Sequence, residues 1–579
     1  MKNFFLDNND LQFILQKINI DEPIKYREKQ FTEFKKYHFA PQNLQEAKEN
    51  YEKILELVGD ISCNLISPRS GIIDKYQSRL VNGKIIQHHL MHQNIEDLKK
   101  ADLFGVTINR NFGGLNFPMT IYIMMIEIIS RGDASLQNIF GLQGIAEIIE
   151  EFGTEKQKQY YLPKLTSGLF DSSMVFTEPH YGSDLQSIQL CAEFDEKNNI
   201  WLLNGVKHFI TNGGAKVNIV LARSEKNTKD GRGLSLFICE SCPELVVNKI
   251  ENKLGLHGVP TTELQFNNVK AELFGKQKRG LIKYVPEILN GGRISVSAQA
   301  LGIAESAFRL ANEYAKNRIQ FATPIINIPT IYSMLTNMKL SIISSRALLY
   351  ETSKIYDYKK MYDNMINKIE NDNKTQTQEE KINILNKQKY YNKLLTTLVP
   401  MCKAYITESA NKIVYNAVQI HGGIGYMNDC KITQLYRDIR TTNIYEGTTQ
   451  IQNVIASNYI IQGHLDKKIE EYLQFFDKQK SNNKEYKTIK KMHIQLYKIL
   501  KLIKKNQKKQ FLDIVNKYIV KLSTYLLIGC IMFKDSSLYP DRKIFTKMYI
   551  ACIIHDFKKY SSKIINNAYI KLTIKHKCL

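Results

Sequence analysis

"SSMVFTEPHYGSD", residues 172–184, marks a change in the period of the chain. Upstream, "NLQEAKENYEKILELVGDIS" (43–62) and "MTIYIMMIEIISRGDASLQNIFGLQGIAEIIEEFG" (119–153) repeat apolar residues at three- and four-residue steps, which predicts helices broken at Gly132 and Gly153. From Ser172 the runs shorten and turn β-rich: "IWLLNG", "KHFITN", "VNIVLARS", "GLSLFICE" and "TTELQFNNV", with an Asn-Gly turn at Asn204-Gly205. These predict a small antiparallel barrel or sandwich. Helical periodicity returns near residue 281, as in "SAQALGIAESAFRLANEYAKNR" (297–318).

The expected class is therefore a multidomain α+β chain in α–β–α order. Its divisions are an N-terminal extension over 1–42, an α domain over 43–171, a β domain over 172–280 and a four-helix-bundle α domain over 281–462. A helical extension follows over 463–579. Residues 358–393, rich in Asn, Lys and Gln, read as a solvated insertion between two helices. In the extension, Ile489, Met492, Leu496, Ile499, Leu500 and Ile503 fall at helical spacing and predict one apolar face.

The chain has 579 residues with 43% hydrophobic content, enough for several cores, and a formal charge of +23. That charge is concentrated: residues 463–579 hold 26 Lys and Arg against 9 Asp and Glu, so the other 462 residues carry only +6. Any electrostatic partner belongs to the tail, where solvated lysines, a membrane-surface or dimer contact and, as a weaker alternative, nucleic acid all compete. Nine scattered cysteines form no disulfide rhythm, and Cys239 and Cys242 make a lone C-x-x-C without a second pair at zinc spacing, so no metal site is expected. "MKNFFLDNND" has neither a signal nor a transit pattern, and the best apolar run of the tail, "TYLLIGCIMF" (524–533), is short for a bilayer. The expectation is a cytoplasmic protein.

Several segments carry candidate chemistry. The loop after Met174, Val175 and Phe176 offers Thr177, Gly182 and Ser183, which suit a polar ring edge or a pyrophosphate as well as an ordinary β-turn. Strand alternation puts Phe209 and Thr211 on one face around Ile210, a geometry open both to a flat ring and to core packing. Glu446, in "TTNIYEGTTQIQ" (441–452), reads on local sequence as a helix-start acid.

Taken in order, "FTEPHYGSD", "LNGVKHFITNGG", "NGGR" before a long helix, "NRIQF", "QIHGGIGY", "RD" and "IYEGTTQIQ" resemble the acyl-CoA dehydrogenase family across roughly residues 100 to 460. The long N-terminal segment, His180 and the helical tail resemble its longer bacterial branch with a C-terminal extension. The resemblance implies bound FAD, with Met174, Val175, Phe176, Thr177, Gly182, Ser183, Phe209, Ile210 and Thr211 near the flavin. It places Arg318, Phe321, Gln419, Gly422 and Gly423 on the pyrophosphate and adenosine half of a neighbouring subunit's FAD, with Thr448 and Gln450 also touching it. Ser183, Arg293 and Gly447 would contact substrate, and Glu446 would take the α-proton of an acyl-CoA thioester. The implied partners are an acyl-CoA, an electron-transfer flavoprotein and further copies of the chain in a homodimer or homotetramer. The implied product is trans-2-enoyl-CoA, as in fatty-acid β-oxidation.

Departures from the family pattern are Tyr181 and Ala322, where smaller residues are usual, and Phe209, where Trp is the other frequent choice. His180 and His421 lie inside motifs without an expected role in proton transfer. An oxygen-using acyl-CoA oxidase and a catalytically idle scaffold or nucleic-acid binder remain alternatives, and the intact Glu446 speaks against the idle form.

Overall fold

The computed structural model describes residues 3–371, 377–481, 483–505 and 509–566. Helices α1 (Asn9–Lys17), α2 (Asp21–Arg27), α3 (Leu44–Ile61), α4 (Ser67–Lys75) and α5 (His89–Lys100) come first. A hairpin of β1 (Arg79–Val81) and β2 (Lys84–Ile86) separates α4 from α5, where only helices were expected. Its cause is local: Asn82 and Gly83 supply consecutive positive φ angles of 49° and 74°, the conformation that closes a two-residue hairpin. Next come α6 (Met119–Gly132), α7 (Ala134–Phe140), α8 (Gly144–Phe152) and α9 (Glu155–Thr166), the last opened by a capping box of Thr154 and Gln157.

The β region holds β3 (Ser172–Val175), β4 (Cys191–Asp195), β5 (Ile200–Thr211), β6 (Val217–Arg223), β7 (Leu234–Glu240), β8 (Leu245–Ile250) and β9 (Thr261–Phe274). Their order is β3-β6-β4-β5-β9-β7, with β8 on β9, and a β6–β7 pairing closes the sheet into a barrel. The barrel is mixed rather than antiparallel throughout, because β3 and β4 both pair in parallel with β6. Strand β6 is buried on both faces: Val217, Ile219 and Leu221 join one apolar cluster with α8 and α9, while Val220 and Ala222 join the barrel interior with Leu203, Phe237 and Phe266. This is why "IVLA" (219–222) reads as a continuous apolar run rather than an alternating one.

Beyond the barrel lie α10 (Val285–Asn317), a small hairpin of β10 (Ile319–Gln320) and β11 (Thr323–Pro324), then α11 (Pro329–Asn371), α12 (Gln378–His421), α13 (Lys431–Ile439) and α14 (Thr449–Ile461). The extension forms α15 (Asp466–Lys478), α16 (Lys484–Lys505), α17 (Lys509–Leu538) and α18 (Lys543–Ile565). The chain divides into two compact units, one taking in residues up to Ser306 with Gly423–Thr442, the other Ala307–Gly422 and the residues from Asn443 on.

In the first unit the N-terminal extension is part of the core. Buried Arg110 holds Glu28 through both guanidinium ends (2.7 and 3.0 Å) and Glu33 at 3.0 Å. In the second unit the region read as a solvated insertion is instead the end of α11 and the start of α12, with residues 372–376 outside the described residues. Lys, Gln and Glu are good helix formers, and Tyr391 stacks on Tyr358 and Tyr362 at 5.1 and 5.4 Å.

The tail joins this second unit through its apolar faces. Ile489, Met492, Leu496, Ile499, Leu500 and Ile503 of α16 are all buried, and α17 packs against α11, α12, α14, α16 and α18. Although its apolar run is short, α17 as a whole is long and apolar enough to cross a membrane, and most of that stretch is buried inside the unit. Buried Glu351 of α11 accepts Lys468 of α15 at 3.0 Å, a charged tie between bundle and tail.

Candidate active site

In the first unit the "FTEPHYGSD" loop is strapped to β5 by buried charges. The Glu178 carboxylate accepts the backbone N–H of Gln189 (2.7 Å) and Leu190 (2.9 Å) and the fully buried Lys207 Nζ (3.0 Å). Lys207 also donates to the Phe176 carbonyl at 2.8 Å, and His208 N–H donates to the Thr177 carbonyl at 2.9 Å. Burial pulls the Lys207 ammonium down to about 8, with Glu178 opposing the shift. The result is a fixed turn whose tip, Pro179, His180, Gly182 and Ser183, is exposed. Val175 and Ile210 face the barrel core and Phe176 the second cluster, so these three can meet a ligand only through their backbones; Met174 is half-buried against that second cluster.

Strand alternation does not hold through Phe209. The β5–β9 register slips between Lys207 and Ile210, a bulge that turns both of those side chains inward. Phe209 adopts a positive φ of 60°, is 57% exposed, and stacks on the His208 ring at 3.9 Å. A bulky side chain in that conformation costs about 1–2 kcal/mol. Thr211, half-buried, pairs with Thr261. His208 meets Glu251 (2.5 Å) and lies near Glu263, the one cluster of potential metal ligands among the described residues, and Lys249 already sits 3.2 Å from Glu251. Cys239 and Cys242 belong to no such cluster.

The "RD" pair of α13 also falls in this unit. Arg437 grips Asp74 through both terminal nitrogens, and Asp438 accepts the Leu256 N–H at 2.6 Å. Burial raises the Asp74 carboxyl, but hydrogen bonds from His257 and Arg437 outweigh it and hold the group at about 2. Burial pushes Asp438 up to about 6, helped by the negative charge of Asp74. Together they fix the 253–259 loop, in which Leu256 has a φ of +53°. Arg293 lies half-buried on α10 and Glu305 is buried farther along it.

In the second unit Arg318 and Gln419 are exposed, as is Phe321 at the tip of the β10–β11 hairpin. His421 is buried, stacks on Tyr314 at 4.6 Å and pairs with the Ala417 carbonyl at 2.7 Å; burial lowers its basicity. Gly422 has a φ of +61° and a Cβ there would meet nothing within 4 Å.

Glu446 is not a helix-start acid. The N-cap of α14 is Thr448, whose hydroxyl accepts the Ile451 N–H, and Glu446 lies two residues earlier with a φ of +56°. Gly447 follows at +89°, so the pair makes a left-handed turn. Lys403 Nζ donates to the Gly447 carbonyl at 2.7 Å, and Gln452 Nε2 donates to the Glu446 and Gly447 carbonyls, each at 3.0 Å. Glu446 Oε2 is closed off from solvent. Gln450 is exposed and Thr448 half-buried. Sequence reasoning missed Lys403, Gln452, Lys207 and Glu178, because a charged residue in a helix or strand carries no local sign that its head group is buried.

An FAD fits what each unit offers on its own. Cβ atoms added at Gly182 and Gly423 would meet nothing closer than 3.7 Å, so nothing in the chain requires glycine there and a flat or phosphorylated ligand has room to approach. Both glycines belong to the first unit, where the Thr177 and Ser183 hydroxyls flank Gly182 in sequence; the second unit exposes the Gln419 amide and the Arg318 guanidinium, groups that suit a pyrophosphate.

Family models for "Acyl-CoA dehydrogenase, N-terminal domain", "middle domain" and "C-terminal domain" match residues 80–169, 173–269, and 280–369 with 382–460. An acyl-CoA dehydrogenase of Bacillus subtilis is 35% identical over 416 residues, 70% of this chain and 97% of that protein. Butyryl-CoA dehydrogenase from Megasphaera elsdenii superimposes with a TM-score of 0.60 at 29% identity, covering 72% of this chain and 99% of that one. An acyl-CoA dehydrogenase from Bacillus anthracis complexed with FAD gives 0.74 at 20% identity over 91% of this chain and 90% of its own, so the likeness of fold extends into the tail.

Proposed function

Because the chain belongs to the acyl-CoA dehydrogenase family of FAD-dependent oxidoreductases, we propose that Glu446 is the base that removes the α-proton of an acyl-CoA thioester. The observation that carries this reading is the left-handed Glu446–Gly447 turn, which lifts the carboxylate out of the helix start where an ordinary acid would sit. Such a backbone costs about 1–3 kcal/mol at a non-glycine residue and persists where its surroundings over-determine it.

Bound FAD would supply the acceptor for the β-hydrogen, which leaves as hydride. Thr177, Gly182, Ser183, Phe209 and Thr211 would hold its ring, with Met174, Val175, Phe176 and Ile210 contributing backbone. Arg318, Phe321, Gln419, Gly422 and Gly423 would hold the pyrophosphate and adenosine half in a neighbouring subunit, with Thr448 and Gln450 nearby. Glu446 takes the α-proton onto its carboxylate, and a backbone N–H at Glu446 stabilises the charge that grows on the thioester oxygen. Excluding water as the acyl chain enters strengthens the base. Gly447 leaves space beside the carboxylate for that chain, and Ser183 and Arg293 meet the substrate. The product is a trans-2-enoyl-CoA, the electrons pass to an electron-transfer flavoprotein, and the enzyme works in the cytoplasm as a homo-oligomer. The basic tail serves the bundle first, with its exposed lysines left for solvent or a membrane surface.

Anaerobic absorbance titration with acyl-CoAs of graded length and branching tests this. The expected result is bleaching of the flavin by at least one of them. A flavin-replete protein bleached by none would end the reading, and rapid reoxidation by oxygen would favour the oxidase.

A further inference from the structure

Two fully buried side chains meet the backbone of the Glu446–Gly447 turn from behind: Lys403 on α12 and Gln452 on α14. Their three hydrogen bonds draw the carbonyl oxygens of both residues toward the helix bundle. A trans peptide is planar, with its N–H opposite its C=O. Holding the two carbonyls inward therefore aims the N–H groups of Gly447 and Thr448 outward, away from Lys403 and Gln452.

The same arrangement keeps the negative ends of two peptide dipoles away from the carboxylate. That matters for a base that works where negative charge develops, because a carbonyl turned outward would oppose that charge. Nearby, Glu408 of α12 accepts Asn443 Nδ2 (3.1 Å) and Thr449 Oγ1 (2.9 Å), pinning both ends of the loop to the same helix.

We propose that Lys403 and Gln452 are positioning residues that fix this left-handed turn and so present Glu446 for proton abstraction; the proposal rests on the reading of Glu446 as the base. Neither side chain needs to touch substrate. Their effect runs through the backbone they hold.

The test compares wild type, Lys403→Met, Gln452→Met, Glu446→Gln and the Lys403→Met/Glu446→Gln double variant, all as full chains. Hydrogen–deuterium exchange of residues 444–450 in the FAD-free protein is expected to quicken in Lys403→Met and in Gln452→Met. Loaded with FAD, Lys403→Met should keep its flavin and its acyl-CoA affinity while single-turnover flavin reduction slows about tenfold to a hundredfold, the range expected for loss of a hydrogen bond from a charged donor. In the Glu446→Gln background the same change should cost no further rate, since there is no base left to position.

A loss that multiplies unchanged into the Glu446→Gln background, or wild-type rate and exchange in both methionine variants, overturns the proposal. If Lys403→Met does not fold, Gln452→Met decides by the same readouts. Wild-type flavin reduction in Glu446→Gln would overturn the base assignment instead, and the exchange measurement would still decide whether the two side chains fix the turn.

Discussion

The β1–β2 and β10–β11 hairpins are one device built from different residues. Each closes through two residues with positive φ: Asn82 (49°) and Gly83 (74°) in the first, Phe321 (52°) and Ala322 (60°) in the second. Asn and Gly accept that conformation at little cost, whereas Phe and Ala carry a penalty of about 1–2 kcal/mol each. The costly version leaves Phe321 92% exposed, so burial of its side chain does not offset the strain. Positive φ at bulky residues occurs at Phe209, Phe321, Ala322 and Glu446, in or beside the motifs that carry the resemblance, and also away from them, at Phe31, Leu256, Lys278 and Lys480.

The strongest way to break this comparison is at Glu446, where only the second residue of the turn follows the rule. Glu446→Gln keeps the shape and removes the base, so FAD content should persist while anaerobic flavin bleaching slows by at least roughly a hundredfold. Bleaching at the wild-type rate would turn the strain at Glu446 into a structural accident and send the search to buried Glu305.

Next in size is the exposed hairpin. Arg318→Ala should weaken FAD retention by on the order of tenfold or more, measured by flavin release on dilution, and the loss should be seen in the assembled oligomer. A monomer that holds FAD equally well with and without Arg318 would show that the hairpin serves something else.

The loop at Leu256 offers a test through pH. The folded Asp74 carboxyl sits near 2, below its ordinary value of 3.8, so its contribution to stability is complete above pH 3.8 and is lost as pH falls toward 2. Thermal unfolding of wild type and Asp74→Asn should therefore differ clearly above pH 4 and converge toward pH 2. A gap that stays constant over that range would assign the effect to packing.

The smallest effect sharpens the comparison directly. Gly83→Ala should destabilise by about 1 kcal/mol, whereas Ala322→Gly should stabilise by a few tenths to about 1 kcal/mol, as read from denaturant midpoints. Equal and same-signed shifts would mean that the two turns are not equivalent.

Much of the fold was legible because it rests on period: helices up to Thr166, strands from Ser172 to Phe274, helices again, and the apolar face of α16 residue by residue. The Asn82-Gly83 pair signals its hairpin equally well, although it sits inside a helical neighbourhood. The site motifs were visible as ordered segments, yet their mechanics were not. Alternation could not foresee the bulge at Phe209, since a register slip depends on the partner strand. Lys403 and Lys207 look like any solvated lysine until tertiary structure buries them, and the tyrosine stack that makes 358–393 helical joins residues from two helices.

Helix α17 lies behind α12 and α14, yet it is translated after both. While the chain is still emerging from the ribosome, the face that α17 will cover stays apolar and open, and domains formed earlier must wait beside it. This makes the last part of synthesis the vulnerable interval, when chaperone capture competes with aggregation. A nonsense codon ahead of residue 509 would leave that face of α12 and α14 open, although every residue of both helices had already been made.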